Sequence, residues 1–345
     1  MNEPSNIDST ILKENSKKDE HTNGIQKESE EVNDIEKIRN KIKPSSFGLK
    51  PKNSSVCIDS DKWYLTLQES SKKLLTNPPS IKDGIPLHIE QELRYLGCEL
   101  IQTLTILLKM PQTAAATGQI LYQRFYYQKS FAKYFFEYAV MACVFLASKI
   151  EESPRRCREV INTFDRMQKR HSLKNTPEAF NEIPPIDLDE AYVHLKNNVI
   201  KIERQILKTL GFVVYVNHPH KWIYVFAHAL KQTDNVELIG KAWSYMNDGL
   251  RTDIFLRYQP NTIACACLYL ASKTLTIPIS LPKKPRPWYE IFNVYEKDVV
   301  DISKILFSMY KRHKSVDWIK LRSYVKKISP KNMPSTATAD RCDFT

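Results

Sequence analysis

His218 and His220 flank a proline, and side chains of this type at this spacing could contribute to a metal site. A metal site needs three or four ligands, and the residues around this pair supply no further ligand cluster. Cys265 and Cys267 are also two residues apart, and side chains two apart on a helix do not face each other. The sequence therefore predicts no metal site and favours helix capping around Pro219.

The eight glycines of the chain form no catalytic or nucleotide-binding motif. There is no G-x-G, Walker or G-x-S-x-G pattern, so the sequence supports neither a phosphate-binding loop nor the nucleophile elbow of a hydrolase. We expect no catalytic residue, no cofactor, and a protein that is not an enzyme.

A lysine ends each copy of a repeated stretch. The chain reads ACVFLASKIEE at residues 142–152 and ACLYLASKT at residues 266–274, which places the lysine at Lys149 and again at Lys273. A lysine in the last turn of a helix interacts favourably with the negative end of the helix dipole, so neither position requires a partner. Only the first copy continues into Ile-Glu-Glu-Ser-Pro. A function specific to the first copy is therefore expected to involve these residues.

The two lysines lie on helices, which we predict from the apolar periodicity of both halves of the chain. The predicted helices cover about 63–75, 85–107, 111–128, 131–150, 154–171, 188–210, 218–231, 235–250, 260–274 and 299–311. Gly211 follows one of them as a left-handed cap. No segment shows the sustained alternation of a strand, so the fold class is predicted to be all-α.

The two repeated stretches are apolar or small on nearly every side of the helix. The first presents Phe135, Ala142 and Leu146, and the second presents Ile263 and Cys267. A helix that is apolar all round must be surrounded by other helices. The lysines are 124 residues apart, a separation that suits a duplicated domain. Each copy is therefore predicted to be the central helix of a bundle.

The residues around the first copy resemble a known family. LASKIEESPRR is similar to the first-box signature of cyclins, and the resemblance continues through MPQTAAATGQILYQRFYYQKSF, RCREVINTFDRM, HLKNNVIKIERQILKTLGF and AWSYMNDGLRTDIFLRYQPNTIACACLYLAS. It runs from about residue 85 to about residue 311 and looks like cyclin L within the cyclin family. The resemblance implies two consecutive cyclin-box five-helix bundles.

The domain boundaries follow from composition and from this resemblance. Residues 1–46 contain no aromatic residue and mix charges with Ser and Asn, so they cannot bury enough surface to order. We predict a disordered N-terminal segment at 1–80, a first cyclin box at 81–212, a second at 213–325, and a short flexible tail at 326–345.

The resemblance also implies a kinase-binding site. In cyclins the lysine that ends the third helix and a glutamate on the fifth form a polar pair at the kinase interface, and the matching positions are Lys149 and Glu203. The residues that follow the lysine complete the predicted site: Ile150, Glu151, Glu152, Pro154 and Arg155. Without the resemblance, solvated charges at helix ends explain the same residues.

The function implied is that of a regulatory subunit that activates a cyclin-dependent kinase in RNA polymerase II transcription and pre-mRNA splicing. The expected partners are the kinase catalytic subunit and, beyond it, splicing factors. Two alternatives stay open: a transcription-elongation cyclin of the K/T type, and a TFIIB-like factor that binds promoter DNA. Cys57 is the only cysteine before residue 98, which excludes the Cys-based zinc ribbon of such factors.

Charge and cysteine usage indicate the compartment. The net charge of +12 lies within residues 81–345, because residues 1–80 hold 13 basic and 13 acidic side chains. This suits an acidic partner or a nuclear setting, while the few aromatic residues near the basic clusters argue against direct nucleic-acid binding. The seven cysteines have no C-x-x-C spacing, and no long apolar run or signal peptide occurs. We expect a nuclear protein with no membrane contact. The sequence contains no Arg-Ser repeat, so it does not predict targeting to nuclear speckles.

Overall fold

Helices make up the regular structure of this chain. The computed structural model describes residues 63–67, 69–172, 183–282, 286–311 and 316–328, and within those ranges there are thirteen α-helices and no strand. All described residues lie in the compact unit that spans Asp59–Thr345. The predicted all-α fold class is confirmed.

The first bundle is preceded by two short helices and contains five long ones. In chain order these are α1 Glu69–Thr76, α2 Pro79–Lys82, α3 Leu87–Leu107, α4 Gln112–Gln128, α5 Phe136–Ile150, α6 Cys157–Ser172 and α7 Glu190–Thr209. The five helices predicted for this half are therefore present. The short helix expected at 63–75 begins only at Glu69, after a turn.

The second bundle is built from helices with less regular spacing. They are α8 His220–Ala229, α9 Val236–Gly249, the single turn α10 Ile254–Arg257, α11 Pro260–Thr274 and α12 Glu296–Lys311. A 3-10 helix, Trp288–Phe292, lies between α11 and α12 where the first bundle has a long α-helix. The last described helix is α13 Trp318–Ile328.

The helices begin and end where local chemistry allows. The Asp189 side chain accepts a hydrogen bond from the backbone N–H of Tyr192 at the start of α7, and Asn235 accepts one from Leu238 at the start of α9. After α7 the chain turns through Gly211 at φ +59°, a conformation that glycine adopts without steric strain. The predicted left-handed cap is confirmed.

Each repeated stretch is the centre of its bundle. Helix α5 contacts α3, α4, α6 and α7, and α11 contacts α8, α9, α10 and α12. Both are buried along most of their length. Ser148 donates a hydrogen bond to the Phe145 carbonyl at 2.7 Å, and Ser272 donates one to the Tyr269 carbonyl at 2.8 Å. The residues that the two stretches share therefore have the same structural role in both bundles.

A polar joint connects the two bundles. The Gln123 amide on α4 donates to the carbonyls of Leu250 and Thr252 at 2.9 and 2.8 Å, and the Tyr127 hydroxyl lies 3.1 Å from Asp253. These acceptors belong to YMNDGLRTDIFLRYQP, which sequence analysis singled out. Because the joint is buried and hydrogen-bonded, it fixes the second bundle against α4.

Helix α13 follows the second bundle in sequence and packs on the first. Its apolar side chains Trp318, Leu321 and Val325 are buried in the first core. The Trp318 indole donates to the buried Glu137 carboxylate at 2.8 Å, and Arg322 lies 3.3 Å from the same oxygen. Burial raises the pKa of Glu137, and the two neighbours oppose this shift. Residues 318–325, assigned by sequence to the second box, thus complete the first core.

The predicted boundaries at 212 and 325 stay predictions. Most of the N-terminal segment expected to be disordered, residues 1–62, lies outside the described residues, as does most of the tail expected after residue 325. Within the described part of the N-terminal segment the chain forms α1 and begins α2.

Candidate functional site

Lys149 and Glu203 are 54 positions apart in sequence and meet in the structure. The Lys149 Nζ lies 2.6 Å from the Glu203 Oε1, across the line where α5 packs on α7. The Glu203 side chain is only 11% exposed, whereas that of Lys149 is 46% exposed. The pair therefore presents its ammonium group to solvent and keeps its carboxylate largely buried where the two helices meet, and we call this line of contact the α5–α7 groove.

The packing of both helices fixes this geometry. Val199 and Ile206 are fully buried one turn to either side of Glu203, so α7 has no freedom to rotate the carboxylate away from α5. The Lys149 Nζ also lies 3.8 Å from the centroid of the Phe145 ring, one turn earlier on α5. A cation over an aromatic ring is further restrained, because the ring quadrupole attracts it.

The pair can bind backbone groups of a partner. An ammonium group has three N–H donors, and Glu203 occupies one of them, which leaves donors for carbonyl acceptors outside the chain. The Glu203 carboxylate has a second oxygen, a type of atom that can accept from an N–H donor. Helix α7 also carries exposed apolar side chains, Ile200 three positions before Glu203 and Val193 further toward its start.

Glu151 turns inward rather than toward solvent. The Thr117 hydroxyl on α4 donates to its carboxylate at 2.6 Å, and the His218 Nε2 lies 3.6 Å from the same oxygen. Thr117 and His218 are themselves 3.0 Å apart. This three-residue cluster ties the turn after α5 to α4 and to the start of the second bundle.

The two histidines around Pro219 have structural partners. Burial lowers the pKa of His218, which Glu151 partly offsets, and burial also lowers the pKa of His220. The His220 Nε2 lies 2.9 Å from the Asn247 side-chain oxygen. Helix α8 begins at this proline as expected, with Pro219 as its N-cap residue, and no side chain makes a capping hydrogen bond there.

The other residues of the predicted site are divided between core and surface. Ile150 packs against the first core, and Arg155 donates to the carbonyls of Leu108 and Lys109 at 3.0 and 3.1 Å, at the end of α3. Glu152 and Pro154 are exposed. The structure thus places Lys149 and Glu203 together on a surface groove, with the rest of the site beside them or turned inward.

Sequence analysis did not find Phe145, Thr117 or His218 as parts of this region. Phe145 stands four positions before Lys149, and this helical spacing is a signal that could have identified it. Thr117 and His218 reach Glu151 only through tertiary packing, and no spacing in the sequence connects the three.

The described cysteines are free thiols. Five are free and four of these are buried, and burial raises the pKa of Cys98 to about 12. Within the described ranges, no group of three or more His, Cys, Asp and Glu side chains is arranged to hold a metal ion. No helix in those ranges is both long and apolar enough to cross a membrane.

Family models match both halves of the chain. The model described as "Cyclin, N-terminal domain" matches residues 62–215, and "Cyclin-T2-like, C-terminal domain" matches residues 218–302. The first covers the bundle that contains α5 and the second covers the bundle that contains α11.

Curated relatives carry the cyclin L name. The chain is 51% identical over 288 residues to "Cyclin L homolog cyl-1" of Caenorhabditis elegans, which covers 82% of this chain and 60% of the relative. It is 48% identical over 252 residues to human "Cyclin-L1", with 72% of this chain and 46% of the relative covered. Rat "Cyclin-L2" is 49% identical over 249 residues, with 72% and 46% covered. The chain therefore spans between about half and three fifths of these relatives.

A solved structure shares the fold. A chain in the crystal structure of the yeast RNA Pol II CTD kinase CTDK-1 complex superposes with a TM-score of 0.55 at 18% identity, covering 76% of this chain and 82% of that chain. At this identity the similarity concerns the fold alone.

Proposed function

The chain belongs to the cyclin family, and on that premise we propose that it is the non-catalytic, activating subunit of a cyclin-dependent kinase. The proposal concerns the part of the protein that corresponds to the two bundles, since the relatives are longer.

The observation that carries the proposal is the Lys149–Glu203 pair. It combines a half-exposed ammonium group with a largely buried carboxylate in a groove between two well-packed helices. A polar pair that is held this rigidly loses little conformational entropy when it binds backbone groups. Apolar neighbours such as Ile200 provide the surface that excludes water around such contacts.

The proposed mechanism is positional. The groove between α5 and α7 would hold the αC helix of the kinase so that the glutamate of that helix reaches the β3 lysine and completes the phosphoryl-transfer site. Lys149 and Glu203 would bind main-chain groups next to αC. Glu151 and Arg155 would act indirectly, because their side chains fix the turn after α5 against α4 and α3.

We further propose that the kinase served is one that acts in transcription and pre-mRNA splicing, with the nucleus as the site of action and splicing factors as further partners. Support comes from the curated cyclin L relatives at 48–51% identity. The match of residues 218–302 to a cyclin-T2-like model keeps an elongation cyclin of the K/T type as the second candidate.

The test exchanges the two charges. In a Lys149→Glu/Glu203→Lys double variant the internal ion pair is kept and its polarity toward the partner is reversed. We expect co-purified kinase activity to fall at least about 30-fold, the effect typical of disrupting a buried charge contact at an interface. Activity is measured on a phosphoacceptor peptide after pull-down from nuclear extract, and mass spectrometry identifies the kinase.

The matched control is Lys273→Glu, the same position in the second repeat, which should retain full activity. Circular dichroism must show unchanged helical content in all variants. Full activity of the double variant would refute the proposed contact. Loss of activity in Lys273→Glu as well would show that the effect is not specific to the α5–α7 groove.

A further inference from the structure

The second bundle has its own groove at the place that corresponds to the kinase-binding groove of the first. A concavity of about 410 Å³ lies between α11 and α12, and its lining is Tyr269, Leu270, Val300, Ser303, Lys304, Phe307, Ser308 and Lys311. We call it the α11–α12 groove. Phe307 is 54% exposed at its centre, and the Lys311 Nζ lies 5.1 Å from the centroid of its ring.

The two grooves match position by position. Tyr269 precedes Lys273 by four residues, as Phe145 precedes Lys149. On the other wall, the buried residues Val299 and Leu306 have the spacing of Val199 and Ile206 on α7. In this alignment Ser303 takes the position that Glu203 has in the first bundle, and Phe307 takes the position of Leu207.

The two grooves differ at the position of Glu203, where the second bundle has Ser303 and therefore no negative charge. Ser303 donates its hydroxyl to the Val299 carbonyl at 2.7 Å and offers no charge to Lys273. Lys273 is exposed and has no ion-pair partner among the described residues. Lys304 and Lys311 are the charged members of the lining, and no acidic residue belongs to it. The Lys304 Nζ lies 3.5 Å from Asp301, which is outside the lining.

From this surface we infer that the α11–α12 groove binds an acidic segment of a protein partner, with apolar side chains that enter between Tyr269 and Phe307 and carboxylates that meet Lys304 and Lys311. Exposed lysines around an apolar concavity attract carboxylates and leave the apolar floor to provide the affinity. The groove is lined by Leu270 and Val300 as well as by aromatic rings, so it fits aliphatic side chains better than stacked bases.

This surface is distinct from the proposed kinase contact. The α5–α7 groove belongs to the first bundle and contains its own acid, whereas the α11–α12 groove belongs to the second and contains only bases. The chain would thus hold two partners of different chemistry on corresponding surfaces.

The probe is a fluorescein-labelled 16-residue amphipathic peptide set, in which leucines recur every third or fourth position and the polar positions are all glutamate or all lysine. We measure fluorescence anisotropy with the full chain. We expect glutamate peptides to bind at least about 10-fold more tightly than lysine peptides, with an affinity that falls as salt rises.

Two variants locate the contact. Phe307→Ser and Lys304→Glu/Lys311→Glu should each weaken glutamate-peptide binding at least about 10-fold, the loss expected when an interface anchor or its charges are removed. The matched controls are Tyr295→Ser, an exposed aromatic residue outside the groove, and Lys297→Glu on the first turn of α12. Both should bind as the unchanged chain does.

Three outcomes would overturn the inference. The first is equal or absent binding of the glutamate and lysine sets. The second is binding of a labelled single-stranded RNA that Phe307→Ser abolishes, which would assign the groove to nucleic acid. The third is a concentration-dependent dimer in sedimentation velocity that Phe307→Ser dissolves, because the occupant would then be a second copy of the chain.

Discussion

The two central helices share the pattern Ala-Cys-x-aromatic-Leu-Ala-Ser-Lys and differ in the surroundings of the lysine. In both, the serine of this pattern donates to the carbonyl three residues earlier. Lys149 then pairs with Glu203 above an aromatic ring, while the turn after Lys273 is held by Tyr245, whose hydroxyl donates to Thr274 at 2.9 Å. The duplicated packing is conserved within the chain, and the surface chemistry is not.

The difference teaches where a duplicated domain is free to change. A buried side chain is constrained by every neighbour, because interiors are close-packed. The position shared by Glu203 and Ser303 lies at the edge of the core, where Glu203 pairs with the half-exposed Lys149 and Ser303 is itself half-buried, so an acid in one copy and a hydroxyl in the other are both compatible with the fold. We therefore expect the function of each copy to depend on the residues of its groove.

The largest difference between the bundles should come from glycine substitutions. In the first, a Cβ at Gly97 would lie 2.1 Å from the Tyr122 ring, and Tyr122 is held by a hydrogen bond to the Leu93 carbonyl. We expect Gly97→Ala to lower the free energy of unfolding by about 4 kcal/mol or more, because neither the backbone nor the ring can yield. Urea denaturation followed by circular dichroism measures it.

The control is Gly240→Ala on α9 of the second bundle, where a Cβ would meet nothing within 4 Å. Alanine has the higher helix propensity, so this variant should gain up to about 1 kcal/mol. A stable Gly97→Ala variant would mean that α3 and α4 are not packed as closely as described.

Removing the indole of α13 should affect the first bundle and leave the second intact. Trp318→Ala takes a buried side chain from the first core and leaves the Glu137 carboxylate without its donor. We expect a loss of about 3 kcal/mol in unfolding free energy.

Hydrogen exchange then separates the two bundles. Amides of α13 and α3 should exchange faster in Trp318→Ala, and amides of α11 should be unchanged. Faster exchange in α11 alone would contradict the assignment of α13 to the first core.

Acid should loosen the junction between the bundles. Burial lowers the pKa of His218 and His220, so below pH 6.5 the unfolded chain binds more protons than the folded one. The free energy of unfolding therefore falls as pH drops through 6.5 toward the folded pKa values, by at most about 1.4 kcal/mol per pH unit for each proton.

Denaturation series at several pH values measure this slope. His218→Asn/His220→Asn should flatten it between pH 7 and 5.5. An unaltered slope in the double variant would show that His218 and His220 do not cause the pH dependence of the unfolding free energy.

The smallest effect concerns the stability, rather than the activity, of the two lysine variants. Lys149→Met leaves Glu203 without its cation and should lower the unfolding free energy by about 1 kcal/mol, as is typical of half-exposed pairs. Lys273→Met should change it by less than about 0.5 kcal/mol. Equal losses from the two variants would mean that the ion pair contributes nothing beyond a general helix-end charge.

Periodicity was sufficient to predict most of the fold. Apolar side chains on all sides identified α5 and α11 as bundle centres, and the prolines and Gly211 placed helix ends to within a few residues. Helix α13 was not predicted, and its placement could not have been, because Trp318, Leu321 and Val325 mark an apolar helix face without indicating which bundle it covers. Long-range packing alone decides that.

The candidate site was predictable only in part. Lys149 and Glu203 were paired through the family resemblance, and the structure brings them within hydrogen-bond distance. The inward orientation of Glu151 depends on Thr117 and His218, which lie 34 positions before it and on the second bundle. Local sequence contains no information on such a contact.

The position of α13 has a consequence for the biosynthesis of the chain. The first bundle receives its last wall from a helix that the ribosome makes more than one hundred residues after α7 ends. At translation rates of about 5–20 residues per second, the incomplete face of that bundle stays open to chaperones for several seconds. Cutting the chain between the bundles would leave the same face bare permanently, so the first bundle is not expected to be a self-sufficient folding unit.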